Sequence, residues 1–362
     1  MLGSLIRLVS RLVYHYTPIP EDRQGSGPFG TLKVATVADA FTALCLSQEC
    51  RIRCLTPGNY KDVLISWKPD LVFVESVFHG VHGEWRYLVG NHPRYFNLQG
   101  NRIIRELVQF ARDRHIPTLF WNKDDGAFFD FFLDVARLFP HVCTTDNTCV
   151  PKYRAALPAE TSVDVLPMPY QPAFHSFTGF HFVRNEACFV GSYYRRILNA
   201  RKLYLDRLFA ACHSAGLPVH VYDRNSKRLS HRLDFSYPKD AHLILHDAVP
   251  HTKTGDIYKH YAVSLNVNSV TTSETMYSRR LLEILACGGI LLTNTSPVVE
   301  HEFREFCHIL SDPEEDQALL ARLAKDGPSK EDKDRAEAGA AYVRAHHTWQ
   351  HRLEQIAQII PL

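Results

Sequence analysis

The densest concentration of reactive side chains lies in SVTTSETMYSRRLLEILACGGILLTNTS, residues 269–296. It reads as a loop, then a helix, then a buried strand. The free N–H groups and the dipole of a helix N-terminus attract phosphate. Arg279 and Arg280 fall in the first turn, where a guanidinium can grip a phosphate through two hydrogen bonds. Glu283 follows on the same helix, and a carboxylate there can accept both hydroxyls of a ribose. Gly288 and Gly289 end the helix and allow close approach of backbone. Each residue also has a plainer use. The two arginines can be a solvated helix face, and Glu283 a surface ion-pair partner.

A second set of polar residues lies just past apolar runs in the first half: Asp39, Glu75, Asn122 to Asp125, and Asp146. The runs that carry them are LKVATVAD (32–39), IRCLTP (52–57), DLVFVES (70–76), IPTLFWNKDD (116–125), HVCTTD (141–146) and VDVLPMPY (163–170). They read as buried strands. FTALCLSQEC has helical spacing, and in NRIIRELVQFARDRH (101–115) Ile103, Ile104, Leu107, Phe110 and Ala111 form one stripe. Asp39 also fits as the N-cap of the helix that follows it. Asp124 and Asp125 equally fit the start of the helix in GAFFDFFLDVARLF.

The alternation begins again near residue 186. EACFVGSYYRR (186–196), VHVYDRN (219–225), HLILHDAV (242–249), VSLNVNSV (263–270) and ILLTNTS (290–296) are the expected strands. LYLDRLFAACHSAG (203–216), DIYKHYA (256–262) and SRRLLEILACGG (278–289) are the expected helices, with more near 313–325, 330–347 and 349–359. Repeated strand, helix and strand predict doubly wound parallel sheets. In such sheets ligands gather beyond the C-terminal ends of the strands. The two halves join near Pro167–Pro172 and share a layout, not residues.

Bulk composition excludes several classes. The chain has 362 residues, room for about two domains. Lys and Arg total 41 against 39 Asp and Glu, so charge gives no case for nucleic-acid binding. Nine cysteines occur without a Cys-x-x-Cys pair, and reduced, buried thiols are expected. The 20 histidines include no His-Glu-x-x-His frame, and His79 and His82 lack an evident third ligand, so no metal is expected. No Gly-x-Gly-x-x-Gly follows the first strand of either half, which argues against a dehydrogenase. No apolar run reaches the ~18–20 residues that span a bilayer. Residues 1–16, MLGSLIRLVSRLVYHY, place Leu5, Ile6, Leu8, Val9, Leu12 and Val13 at helical spacing with Arg7 and Arg11. Such a helix either docks on the protein or lies on the cytoplasmic membrane face. Residues 17–30, rich in Pro and Gly, read as a linker.

The run Ser273, Thr275, Met276, Ser278, Arg279, Arg280, Glu283, Leu285, Ala286, Cys287 and Gly288 resembles the donor-site helix of GT-B glycosyltransferases, in particular the spore-maturation-type and glycosyltransferase group 1-like bacterial proteins. CFVGSYYRR (188–196), YDRN (222–225), LNVNS (265–269) and HHTWQHRLEQI (346–356) resemble further segments of that family in the expected order. So do VADAFT (37–42), VESVFHGVHGEW (74–85), PTLFWNKDD (117–125) and HVCTTD (141–146). The resemblance covers about residues 30–358. It implies two Rossmann-like doubly wound domains facing a cleft, with a C-terminal helix crossing back. The implied division is 1–29 for the amphipathic helix and linker, 30–170 for the acceptor domain, 171–345 for the donor domain and 346–362 for the crossing helix. Retaining members carry two glutamates eight positions apart. The second corresponds to Glu283, while position 275 holds Thr275 and Glu274 stands one place off, which leaves the stereochemistry open.

The resemblance further implies transfer of a sugar from a nucleotide-diphosphate sugar, UDP being the commonest nucleotide, to a glycan, lipid-linked or protein acceptor. No cofactor or metal is required. Gly191, Tyr193, Arg195, Arg224, Asn268, Ser278, Arg279, Arg280 and Glu283 are the implied nucleotide contacts. Tyr193 and Tyr194 also read as rim aromatics, and Gly191 as a turn. Asp39, Glu75 and Asp124 are the candidates for a base that activates the acceptor hydroxyl. The expected location is the cytoplasm, at the inner membrane face if residues 1–16 dock there. Two other readings stand beside this one: an epimerase or hydrolase of the same fold, and a non-catalytic protein that binds a nucleotide sugar.

Overall fold

A computed structural model describes residues 18–93, 100–228 and 230–362. The 1–16 segment lies outside them. The chain forms two compact units, one of residues 1–168 with 349–362 and the other of residues 169–348.

The first unit contains β1 (Lys33–Val37), α1 (Ala40–Glu49), β2 (Arg51–Cys54), α2 (Tyr60–Ser66), β3 (Leu71–Glu75), α3 (Arg102–Arg112), β4 (Thr118–Asn122), α4 (Phe129–Ala136), β5 (His141–Thr144), α5 (Val150–Ala156) and β6 (Ser162–Val165). Its sheet runs β2-β1-β3-β4-β5-β6. Every pair is parallel. β3 and β4 are buried along their whole length, which is why they read as unbroken apolar runs rather than alternating ones. Strand β2 stops at Cys54, before the Thr56–Pro57 dipeptide that the apolar run had included. The core joins Val72, Val74, Phe120 and Val142 from the strands to Ile104, Leu107, Ala111, Phe132 and Val135 from the helices.

The second unit contains β7 (Arg184–Gly191), α6 (Asn199–Ser214), β8 (Val219–Asp223), α7 (His231–Asp234), β9 (Ile244–His246), α8 (Thr254–His260), β10 (Tyr261–Leu265), α9 (Arg279–Ala286), β11 (Ile290–Asn294), β12 (His308–Leu310), α10 (Pro313–Asp326) and α11 (Lys330–His346). Its sheet runs β12-β11-β10-β7-β8-β9, again parallel throughout. Order reverses between β7 and β10, the point where open α/β sheets bind ligands. The last helix, α12 (Trp349–Ile359), follows α11 in sequence but belongs to the first unit. There Trp349 packs edge-on against Trp121, and Arg352 Nε donates to the Pro167 carbonyl at 2.8 Å.

All nine cysteines are buried and none is in a disulfide. No helix among the described residues is long and apolar enough to cross a membrane.

Candidate functional site

In the second unit the chain leaves β10 through Asn266, Val267 and Asn268, all buried. Buried amides need partners, and these find them in each other and in β11. Asn266 Nδ2 donates to Thr293 Oγ1 at 3.0 Å, and Asn268 Nδ2 donates to the same oxygen at 3.1 Å. The Asn268 amide donates to Asn294 Oδ1 at 2.7 Å. Asn268 Oδ1 accepts the Ser278 amide at 2.9 Å. Asn268 therefore sets where α9 begins, and its carboxamide is engaged within the protein. Ser278 is the N-cap residue of α9 and makes no side-chain cap bond.

The two arginines of the first turn part company. Arg280 turns to the sheet: Nε donates to the Val190 carbonyl at 2.5 Å and Nη1 to Asn266 Oδ1 at 3.2 Å. Its guanidinium lies 4.8 Å from the centre of the Phe189 ring. A Cβ on Gly191 would stand 2.7 Å from Nη2, so glycine is what allows this approach. Arg201, on α6, is also buried and donates from Nη2 to the Ser192 carbonyl at 2.9 Å. Burial and the Arg280 charge push Arg201 down to about 10. Neither guanidinium has a carboxylate partner among the described residues. Two cations thus converge on the Gly191–Ser192 turn with their repulsion uncompensated, an arrangement suited to an anion.

Arg279 stays on its own helix, and its Nε donates to Glu283 Oε1 at 2.7 Å. Glu283 is 4% exposed, so the pair is not a surface one. Despite burial, the Arg279 charge and its hydrogen bond hold the Glu283 carboxyl well below the usual range. His251 Nδ1 lies 3.9 Å from the same oxygen. The ligand atoms of His175, His251 and Glu283 fall within 4.8 Å of one another. A divalent ion there would compete with the guanidinium already on the carboxylate.

The remaining nucleotide contacts expected from sequence divide. Tyr193 is a core residue: its ring packs 5.2 Å from Tyr237 and its hydroxyl donates to Asp206 Oδ1 at 2.6 Å. Arg195 is exposed, and Nη1 donates to Ser236 Oγ at 2.9 Å. Arg224 is exposed at the end of β8, with its amide donating to the Gly191 carbonyl at 3.0 Å.

In the first unit, Asp39, Glu75 and Asp124 gather beyond β1, β3 and β4. Lys123 ties two of them, with Nζ 2.5 Å from Glu75 Oε1 and 3.3 Å from Asp39 Oδ2. Glu75 also accepts from the Asp39 amide at 2.6 Å and from Thr42 Oγ1 at 2.5 Å. Asp39 Oδ1 accepts from the His79 and Gly80 amides at 3.2 and 2.9 Å. It makes no cap bond to α1. Asp124 Oδ2 accepts from Ser76 Oγ at 2.7 Å. Helix α4 starts only at Phe129, so neither Asp124 nor Asp125 caps it. Burial drives Glu75 up to about 7, Lys123 pulling against it and Asp39 adding to the rise. Asp39 is lowered: Lys123, His79 and two backbone amides outweigh its burial. Asp125 is a buried partner of Asn122 and Tyr153, raised to about 7 chiefly by burial.

Sequence reasoning missed Arg201, His175, His251 and Thr254. The one available signal was Arg201, a charge placed among the apolar positions of an amphipathic helix. Nothing local marked the histidines among 20.

Residues 198–358 match the Glycosyl transferase-like family. No curated protein matches the chain. Among solved structures, Anabaena HepE in complex with UDP and glucose aligns with a TM-score of 0.54 at 12% identity, over 90% of each chain. A glycosyltransferase from Rickettsia africae aligns at 0.54 and 8% identity, over 91% of this chain and 98% of its own. Sucrose-phosphate synthase from Thermosynechococcus elongatus aligns at 0.52 and 9% identity, over 91% and 98%. The fold is GT-B. The stretch similar to glycosyl transferase-like proteins takes in most of the second unit and the helix α12 that follows it.

Proposed function

We propose that the chain moves a sugar from a UDP-sugar to a glycan or lipid-linked acceptor, with residues 171–345 holding the donor, 30–170 the acceptor and 346–362 closing the fold. The observation that carries the reading is the charge arrangement around α9. Arg280 and Arg201 flank the Gly191–Ser192 turn without a carboxylate, a seat for the diphosphate leaving group. Glu283, held ionised beside Arg279, is the ribose acceptor. Arg279, Arg195 and Arg224 lie within reach of solvent and complete the basic rim. Tyr193, Asn268 and Ser278 act behind the site by holding its frame. UDP is favoured because solved relatives of this fold, Anabaena HepE among them, hold it. The kinship with spore-maturation-type bacterial proteins rests on the 273–288 run, and a membrane-held acceptor on the basic amphipathic residues 1–16.

The base belongs to the first unit. Glu75 is fully buried and both its oxygens are taken, which makes it a support for Lys123. Asp39 and Asp124 remain part-exposed and are the candidates for taking the acceptor proton. Asp39→Asn and Asp124→Asn are expected to leave UDP affinity unchanged. One of them should lower kcat by about 10²–10⁴.

The direct test is calorimetry with a panel of nucleoside diphosphates and their sugars. UDP is expected to bind, and Glu283→Ala and Arg279→Ala to weaken it by about ten- to a hundred-fold, the worth of one or two charge-assisted hydrogen bonds. Wild-type affinity in both variants would remove this site. Binding without transfer or donor hydrolysis would favour the non-catalytic reading, and turnover of the sugar nucleotide without acceptor the epimerase or hydrolase.

A further inference from the structure

Glu283 meets its neighbours unevenly. Arg279 Nε and His251 Nδ1 both approach Oε1, at 2.7 and 3.9 Å. Oε2 has no hydrogen-bond partner among the described residues. The carboxylate is thus held by one oxygen and offers the other.

His251 is itself held. It stands in the loop between β9 and α8, with Phe174 edge-on at 5.8 Å and the His175 ring at 4.9 Å. Thr254 Oγ1 donates to the His251 carbonyl at 2.8 Å. That hydroxyl has one proton, so His175, 2.8 Å away, donates to it from Nε2. A Cβ on Gly255 would lie 2.4 Å from the Phe174 carbonyl, so segment 174–175 and the start of α8 pack in direct backbone contact. The loop therefore has little freedom to carry the ring away from Glu283. Burial pushes His251 down to about 3, with Arg279 adding to the fall against the pull of Glu283. A neutral imidazole walls the carboxylate without competing with Arg279 for its charge.

We propose that His251 is a positioning residue for donor recognition: with Arg279 it fixes Glu283 in the rotamer that turns Oε2 to the ribose hydroxyls, so that the enzyme reads the sugar of the nucleotide as well as its phosphates. The inference rests on the reading of Glu283 as the ribose acceptor. It assigns the β9–α8 loop a part in selecting ribonucleotide over deoxyribonucleotide donors, a discrimination that a site built to hydrogen-bond a hydroxyl performs well.

The experiment compares Kd for UDP and for 2′-deoxy-UDP in the wild type, His251→Ala, His251→Asn and Glu283→Gln, with donor KM and kcat alongside. Wild type is expected to prefer UDP by about ten-fold or more, the worth of one charge-assisted hydrogen bond. His251→Ala should shrink the preference to about two-fold or less and raise donor KM, with kcat at saturating donor within about three-fold. His251→Asn, which keeps an N–H near the Nδ1 position, should recover part of the preference. If His251→Ala fails to fold, the Asn variant carries the comparison and should lie between wild type and Glu283→Gln. An undiminished preference in the His251 variants, with Glu283→Gln having lost it, overturns the role of His251 and leaves Glu283 intact. No preference in the wild type overturns the ribose reading itself, and this inference with it.

Discussion

Lys123 is the side chain on which the carboxylate cluster of the first unit depends. It is 13% exposed and lies between Glu75, fully buried, and Asp39. Removing one member of a buried charge set leaves the others unbalanced, whereas the intact set adds little net stability. Lys123→Met should therefore lower stability by about 3–5 kcal/mol, read as a shift in the urea midpoint with unchanged m. A loss under about 1 kcal/mol would mean that water already compensates the cluster. The position was visible in sequence, as a polar residue past the β4 run. Its partners were not, because Asp39 stands 84 residues away and Glu75 48. The same holds for Arg280, whose carbonyl partner Val190 is 90 residues distant.

At the scale of elements, α9 and α11 depend on their ends. Gly288 follows α9 with φ +73, and a Cβ there would stand 2.4 Å from the Phe177 ring. Gly288→Ala combines a left-handed backbone with a clash, and should cost about 2 kcal/mol or more by urea titration. Helix α11 starts with a capping box in which Asp332 and Ser329 satisfy each other. Asp332 also accepts from both Arg322 nitrogens, at 2.9 and 3.1 Å, and from His308 at 2.9 Å. Against the cost of burial, Arg322 and Ser329 hold its carboxyl down to about 2, below the ordinary 3.8. The folded state then binds fewer protons than the unfolded chain between those values. This contribution is complete above about pH 4 and is lost as pH falls through 2. Asp332→Asn should cost about 2 kcal/mol at pH 7. Its deficit against wild type should shrink between pH 4 and 2, and a deficit independent of pH would show that the charge is not what matters.

For the whole molecule, the notable fact is that the chain returns to its first unit at Trp349. Trp349, Leu353 and Ile356 are buried there, on a helix contiguous in sequence with the second unit. Trp349→Ala should cost about 3–5 kcal/mol, and the loss should fall on the first unit. Hydrogen exchange in β3 and β4 should accelerate while β7 and β10 keep their protection. Equal acceleration in both sheets would mean that the units unfold together.

Strands, helices and their order were legible because each is a local pattern. Unbroken apolar runs such as DLVFV mark strands buried on both faces, and the 101–115 stripe marks a helix with one face inward. Their alternation already implied parallel sheets. The family-like run from Ser273 to Gly288 directed attention to α9 in the second unit. What that run does not contain is the division of labour between Arg279 and Arg280, adjacent residues of the same type. One meets Glu283 four residues on, and the other crosses to β7. Arg201, His175 and His251 likewise gained their meaning only when the chain brought α6 and the β9–α8 loop beside α9. The physical reason is that periodicity records whether a side chain is buried, whereas the partner of a buried charge is set by which distant segment the sheet topology lays next to it.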